Sequence, residues 1–329
     1  MTLMIQDETC FQSNFMALNL FHRLKNSINW LASPLGISVV RTPKRKWLRP
    51  NSILETTVGR YRIQVPSLNP MFWYYQENPD FVGQLGLLTA LVREKYPHMA
   101  AIDIGANVGD TACIIKTAAD VPLLCVEGDD ISFKFLEKNI AQFQNATAHK
   151  LYLAEKTDTI SASLACAGWN TTLLPGTAAS AKAIKVMRFD DFIVTQPGWE
   201  NYKLLKIDTE GFDCAIIRGA KNFIRQVSPV IFFEYSRLGM NLIGETGIET
   251  IFMLAELGYS QIAFHDAGGR FICSANLSER EKIKDLHDYA GAPGNGFYYM
   301  DITVFHERDT DLALKFVTAE RTRRLKSPA

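Results

Sequence analysis

The chain has 329 residues, 47% hydrophobic and 21% charged, a composition that supports a substantial core and argues against disorder as the general state. Lysine plus arginine and aspartate plus glutamate stand at 35 each, so no long-range field favours nucleic acid or anionic lipid over a neutral small molecule, and no nucleic-acid partner is expected. The six cysteines are scattered without a C-x-x-C pair or zinc-like spacing, which suits small buried hydrophobes in a reducing compartment. With no charged-then-apolar leader, the expected location is the cytoplasm. No apolar run approaches the roughly 20 residues of a membrane-spanning helix.

Residues 1–50 read as an attachment. Phe15, Leu18, Leu20, Phe21, Leu24, Ile28, Trp30 and Leu31 recur at roughly helical spacing, and the basic run RTPKRKWLRP follows. One amphipathic helix and a basic linker are expected. They either pack on the main domain or touch a membrane periphery or partner through residues 14–50. Residues 51–98 form a second attachment: TTVGRYRIQVP alternates like a strand or hairpin, and the aromatic stretch MFWYYQENPDF reads as core packing. GQLGLLTALVREKYP then has helical spacing and stops at Pro97.

From residue 99 to 329 short β-rich runs alternate with helical stretches: MAAIDIGA, VPLLCVEG, HKLYLAE, YKLLKIDTEG and SPVIFFEYS. This predicts an α/β fold, a doubly wound and mostly parallel sheet with helices on both faces. GYSQIAFHDAGGRFICS, with its turn signal at Gly268 and Gly269, and GFYYMDITVFHE are late strands, at least one of them antiparallel.

Ligands of such sheets settle beyond the carboxyl ends of the strands, where strand order reverses. The first of these strands exits into AIDIGANVGDT, where Gly105 and Gly109 permit a tight turn and Asp110 or Thr111 is positioned to cap the next helix. The dinucleotide spacing G-x-G-x-x-G fails at Asn107 and Asp110, which disfavours a pyrophosphate cradle. Asp103 at the strand end suits a ligand with a positive amino group. Glu127, 22 positions after Gly105, stands close to the roughly 20-residue spacing at which an acidic side chain meets ribose hydroxyls. YKLLKIDTEGFD places Lys206, Asp208, Glu210 and Asp213 at another exit, as an ion-pair network or a reaction centre. Repulsion between Asp208 and Glu210 would raise the pKa of one of them towards that of a useful base. Two carboxylates are a thin ligand set, so no metal is expected there. Glu234 ends the next strand in the same layer. His265 is a weaker candidate base.

Taken in order, DIGANVGDT, the VEG strand end, RFDDF at 188–192, KIDTEGFD, IIRGAKNFI and FFEYS resemble the FkbM-type family of S-adenosylmethionine-dependent methyltransferases over roughly residues 55–260. The resemblance implies the seven-stranded class I methyltransferase (Rossmann-like) sheet with a reversed strand near its end, S-adenosyl-L-methionine as cofactor, and O-methylation of a small-molecule, sugar or lipid-like acceptor. By position, Asp103, Gly105, Asn107 and Gly109 would surround the methionine part of the cofactor and Glu127 would hold its ribose. Asp208 and Glu210 would border the methyl and the acceptor. Thr209 and Phe212 depart from the family's usual aliphatic and small residues. Two rival expectations are a nicotinamide-dependent oxidoreductase on the same fold and a non-catalytic cofactor-binding or membrane-peripheral module.

Overall fold

The computed structural model describes residues 52–326, apart from 68, 70, 79, 168–169, 177–180 and 293–298. The N-terminal helix and basic linker expected in residues 1–50 lie outside the described residues. Among those described, no helix is long and apolar enough to cross a membrane.

Strands β1 (Ile53–Val58) and β2 (Tyr61–Pro66) form the expected antiparallel hairpin, which buries Val58, Ile63 and Val65. Helices Met71–Glu77 and Gly83–Lys95 lead into β3 (Ala100–Ile104), helix Asp110–Ala118, β4 (Leu123–Glu127), helix Asp130–Ile140 and β5 (Ala146–Lys150). The chain then builds a side sheet of β6 (Tyr152–Ala154), β7 (Asp158–Ala167), β8 (Asn170–Pro175) and β9 (Lys182–Arg188), in the order β6-β9-β7-β8. It returns through helix Phe189–Ile193 to β10 (Tyr202–Ile207), helices Asp213–Gly219 and Lys221–Val227, and β11 (Val230–Tyr235). After helices Arg237–Leu242 and Ile248–Glu256 come the hairpin β12 (Tyr259–Asp266) and β13 (Phe271–Asn276), helix Arg280–Gly291, β14 (Met300–His306) and helix Thr310–Lys326.

The main sheet has the order β13-β12-β14-β11-β10-β3-β4-β5. Strands β5, β4, β3, β10 and β11 are parallel neighbours, and β14 runs antiparallel between β11 and β12. Seven strands therefore give the expected doubly wound sheet with its reversed strand, and β13 adds an eighth at the edge. The central strands are apolar runs because both faces are covered. Ile102, Ile104, Leu205 and Ile207 point into one core, roofed by the helices at 213–227, 248–256 and 280–291. Ala101, Cys125, Leu204 and Phe232 point into the other, under the helices at 83–95, 110–118 and 310–326. The β1–β2 hairpin packs into this second core. Asn139 fastens it, accepting from Gln64 N at 2.8 Å and donating to Gln64 O at 2.8 Å.

Two local expectations are corrected. HKLYLAE is not one strand: the chain leaves the main sheet at Leu151 and joins the side sheet, where β6 pairs in parallel with β9. Asp110 and Thr111 do not cap the helix they begin; Gly109 precedes it, and both side chains are engaged across the site instead.

Candidate functional site

The chain winds outward from β3 through β4 to β5 and then returns to β10, so the strand order reverses between β3 and β10. Their exits frame one cleft. Gly105 turns the chain off β3 with φ +69°, and a Cβ there would lie 1.8 Å from Asp208 O. Only glycine lets the two exits touch. Asp208 N donates to Ile104 O at 3.0 Å, and Gly105 N and Ala106 N donate to Val126 O at 2.9 and 3.0 Å, which ties three strand exits together.

Glu127 ends β4 on the cleft wall. Its Oε2 accepts from Asn107 N at 2.9 Å and its Oε1 from Asp129 N at 2.7 Å, leaving lone pairs on both oxygens for a ligand. Burial raises its pKa against the pull of these N–H groups. Asn107 also lines the cleft, with φ +46° and a buried Oδ1 that has no hydrogen-bond partner.

Asp103 takes a different place from the one its strand-end position suggests. It lies beneath the cleft rather than on its wall, fully buried. The β3–β10 register sets Asp103 beside Lys206, and Lys206 Nζ reaches Asp103 Oδ1 at 2.9 Å. The Thr111 hydroxyl donates to Asp103 Oδ2 at 2.6 Å, and Lys206 Nζ donates to Gly105 O at 3.0 Å. Burial alone would lower the Lys206 pKa, but the carboxylates of Asp103, Asp208 and Asp110 outweigh it and hold the ammonium charged. Gly109 likewise sits behind the cleft, packed against Leu136 of the helix at 130–140.

Beyond the pair lies an excess of acid. Asp213 holds the turn after β10, accepting from Thr209 N and Gly211 N, both at 3.2 Å. Asp110 accepts from the Tyr75 hydroxyl at 3.0 Å and Asp301 from Gln84 Nε2 at 2.9 Å. Asp208, Glu210 and Glu234 each turn a carboxylate oxygen to within 4.8 Å of the other two. Burial, then the charges of Asp208 and Asp213, push the Glu210 pKa up to about 8. The expected Asp208–Glu210 repulsion is thus present, second to burial. Burial and the neighbouring Glu210 and Asp208 raise Glu234 well above the carboxylate range. Glu210 stands at φ +56°, a left-handed conformation uncommon for a residue with a side chain.

The remaining walls come from far along the chain. Tyr74 and Phe81 face the cleft from the N-terminal attachment, Tyr152 and Leu173 from the side sheet, and Tyr299 and Asp301 from the start of β14. The aromatic stretch at 71–81 therefore does two jobs, since Trp73 and Tyr75 are buried while Tyr74 lines the site. That split follows helical phase, but its direction was not readable without the neighbours. His265 is not brought to the cleft. It is fully buried 3.3 Å from Glu320 of the C-terminal helix.

Residues 103–260 match the methyltransferase FkbM domain, which displaces the oxidoreductase and non-catalytic expectations. No curated protein sequence matches the chain. Among solved structures, it is similar to TYW2 from P. horikoshii in complex with MeSAdo, at 14% identity, covering 87% of this chain and 85% of that one, with a TM-score of 0.41. It is also similar to methyltransferase FkbM from Methylobacillus flagellatus KT, at 12% identity over 85% of this chain and 70% of that one, with a TM-score of 0.36. The domain match takes in the Gly105 loop, Glu127, the Asp208–Asp213 turn and Glu234 in one span, and it identifies residues 103–260 as a methyltransferase FkbM domain.

Proposed function

We propose that this methyltransferase uses S-adenosylmethionine to methylate a hydroxyl oxygen of a small-molecule, sugar or lipid-like acceptor, with Asp208 and Glu210 at the point of transfer. The observation that carries the reading is the meeting, in one cleft, of a donor half and an acidic half. Glu127 and Asn107 supply the donor half, and Asp208, Glu210 and Glu234 the acidic half.

The donor half fits the cofactor. Glu127 keeps lone pairs that suit the two ribose hydroxyls, and the orphaned Oδ1 of Asn107 suits a donor such as the methionine amine. The bound cofactor supplies a methyl group already activated on a sulfonium. The protein's task is to align the acceptor oxygen with the carbon–sulfur bond and to exclude water. With the cofactor bound, transfer to a hydroxyl would leave the acceptor's proton to be taken up, and the carboxylates of Asp208 and Glu210 would be the groups placed to take it. Glu210, raised to about 8, matches the acidity such a base needs near neutral pH. Tyr74, Phe81, Leu173 and Tyr299 give the acceptor side an aromatic and apolar rim.

The test is calorimetric titration with S-adenosylhomocysteine, followed by methyl transfer from labelled donor to a panel of hydroxylated sugars, polyketides and lipids. Glu210→Gln should bind the product-form cofactor normally and transfer no methyl. Wild-type turnover by that variant would remove Glu210 from the mechanism.

A further inference from the structure

The carboxylates around the cleft can be accounted for one at a time, and Asp208 and Glu234 remain poorly balanced. Asp103 is neutralised by Lys206 at 2.9 Å. Asp213 is held by two backbone N–H groups and the Thr209 hydroxyl, Asp110 by Tyr75, and Asp301 by Gln84. Asp208 meets Lys206 only at 3.8 Å, the long arm of an ammonium already committed to Asp103.

Glu234 is the clearest case. The residue is 7% exposed, its carboxylate faces the cleft, and it has no hydrogen-bond or ion-pair partner among the described residues. A buried, unpaired carboxylate is costly, and one aimed at two more carboxylates is costlier still. Oxygens of Asp208, Glu210 and Glu234 all lie within 4.8 Å of one another, close enough for one ion to gather them. They come from two adjacent strand exits: Asp208 directly after β10, Glu210 two residues on in the same turn, and Glu234 as the last residue but one of β11. Gly211 keeps this turn close against the helix at 237–242, because a Cβ there would lie 2.5 Å from Gly239 C.

We propose that Asp208, Glu210 and Glu234 form a divalent-cation site, of the hard, oxygen-liganded kind that takes magnesium or manganese, with its open positions facing the acceptor. Three carboxylates fill only part of an oxygen ligand shell, which leaves room for water or for two oxygens of one acceptor. An acceptor bearing neighbouring oxygen functions, a vicinal diol or hydroxy-carbonyl, would bind through both. The ion lowers the pKa of the hydroxyl it holds, so that a ligating carboxylate, itself made less basic by the ion, is still able to take the proton on its second oxygen. This deepens the methyl-transfer reading, and its catalytic consequence rests on that reading, while the ion site itself does not.

The experiment uses the full chain after chelator treatment. Manganese(II) alone is titrated and followed by electron paramagnetic resonance, and S-adenosylhomocysteine binding is measured in parallel by calorimetry. One manganese ion should bind per chain, and Glu234→Gln and Asp208→Asn should each weaken it by about 10-fold or more, with unchanged circular dichroism. Glu234→Gln should also keep its S-adenosylhomocysteine affinity. Cofactor binding by a wild-type chain that takes up no manganese overturns the cation site and leaves the methyl-transfer reading standing. Manganese uptake without cofactor binding supports the site and overturns the donor assignment. Wild-type manganese affinity in both variants also overturns the site.

Discussion

Replacing Lys206 by methionine tests the buried pair beneath the cleft. The exchange keeps roughly the same length of chain and removes one charge. The Asp103 side chain is 0% exposed and that of Lys206 2%, so the substitution leaves a carboxylate deep in the sheet with only the Thr111 hydroxyl to answer it. Breaking a buried pair from one side costs about 3–5 kcal/mol, chiefly as the penalty of the stranded charge. In a domain of this size each kcal/mol lowers Tm by about 2–4 °C, so the variant should melt on the order of 10 °C lower. The partner experiment is the double substitution Asp103→Asn with Lys206→Met. It removes both charges and lets the Asn side chain keep the Thr111 bond, so it should recover most of the loss. Urea and thermal unfolding of wild type, both single variants and the double variant give the cycle. A Lys206→Met loss below about 1 kcal/mol, or a double variant as unstable as the sum of the singles, would refute the pairing as a source of stability.

Gly105→Ala should destabilise the fold and abolish S-adenosylhomocysteine binding together, because the new Cβ meets Asp208 O at 1.8 Å in a left-handed turn; calorimetry and a melting curve on the same sample check both. Glu127→Ala should weaken S-adenosylhomocysteine binding on the order of 100-fold, the loss expected for hydrogen bonds to a charged acceptor, and near-wild-type affinity would remove Glu127 from the cofactor site. Asp110→Asn should change the pH profile of stability. Burial, partly offset by Lys206 and the Tyr75 bond, raises the Asp110 pKa from 3.8 to about 6. Its contribution is therefore fully present below about pH 4 and is withdrawn as the pH rises through about 6. The variant should lack this decline, gaining on the order of 3 kcal/mol over wild type between pH 4 and pH 8 in ligand-free melts, whereas parallel profiles would contradict it.

The strand exits were legible because their signals are local. Gly105, Gly109 and Asn107 follow an apolar run directly, and Glu127 stands at a set distance along the chain. The segment at 188–192 carries one local pair, Arg188 with Asp190, while the other task of Asp190, accepting from Asn222 N and Phe223 N at the start of the helix at 221–227, lies far along the chain. What the sequence hid depends on register and on distant pieces of chain. Asp103 reads as a ligand-facing acid until β10 is laid beside β3, when Lys206 claims it. Asp301 and Tyr299 reach the cleft only because β14 inserts against β11, where Asp301 pairs with Glu234 across the ladder. The side sheet was silent for a compositional reason: DTISASLACA is built from small side chains, which give little contrast between faces.

On the proposed assignment, the contact between Gly105 and Asp208 sets the loop addressed to the donor and the turn addressed to the acceptor on a shared backbone seam. Motion at this seam would carry both together, so the gap that a methyl group must cross would respond less than the rest of the cleft does to opening. Acceptors of different size can then be admitted by displacing the aromatic rim or the side sheet, without retuning the distance over which transfer occurs.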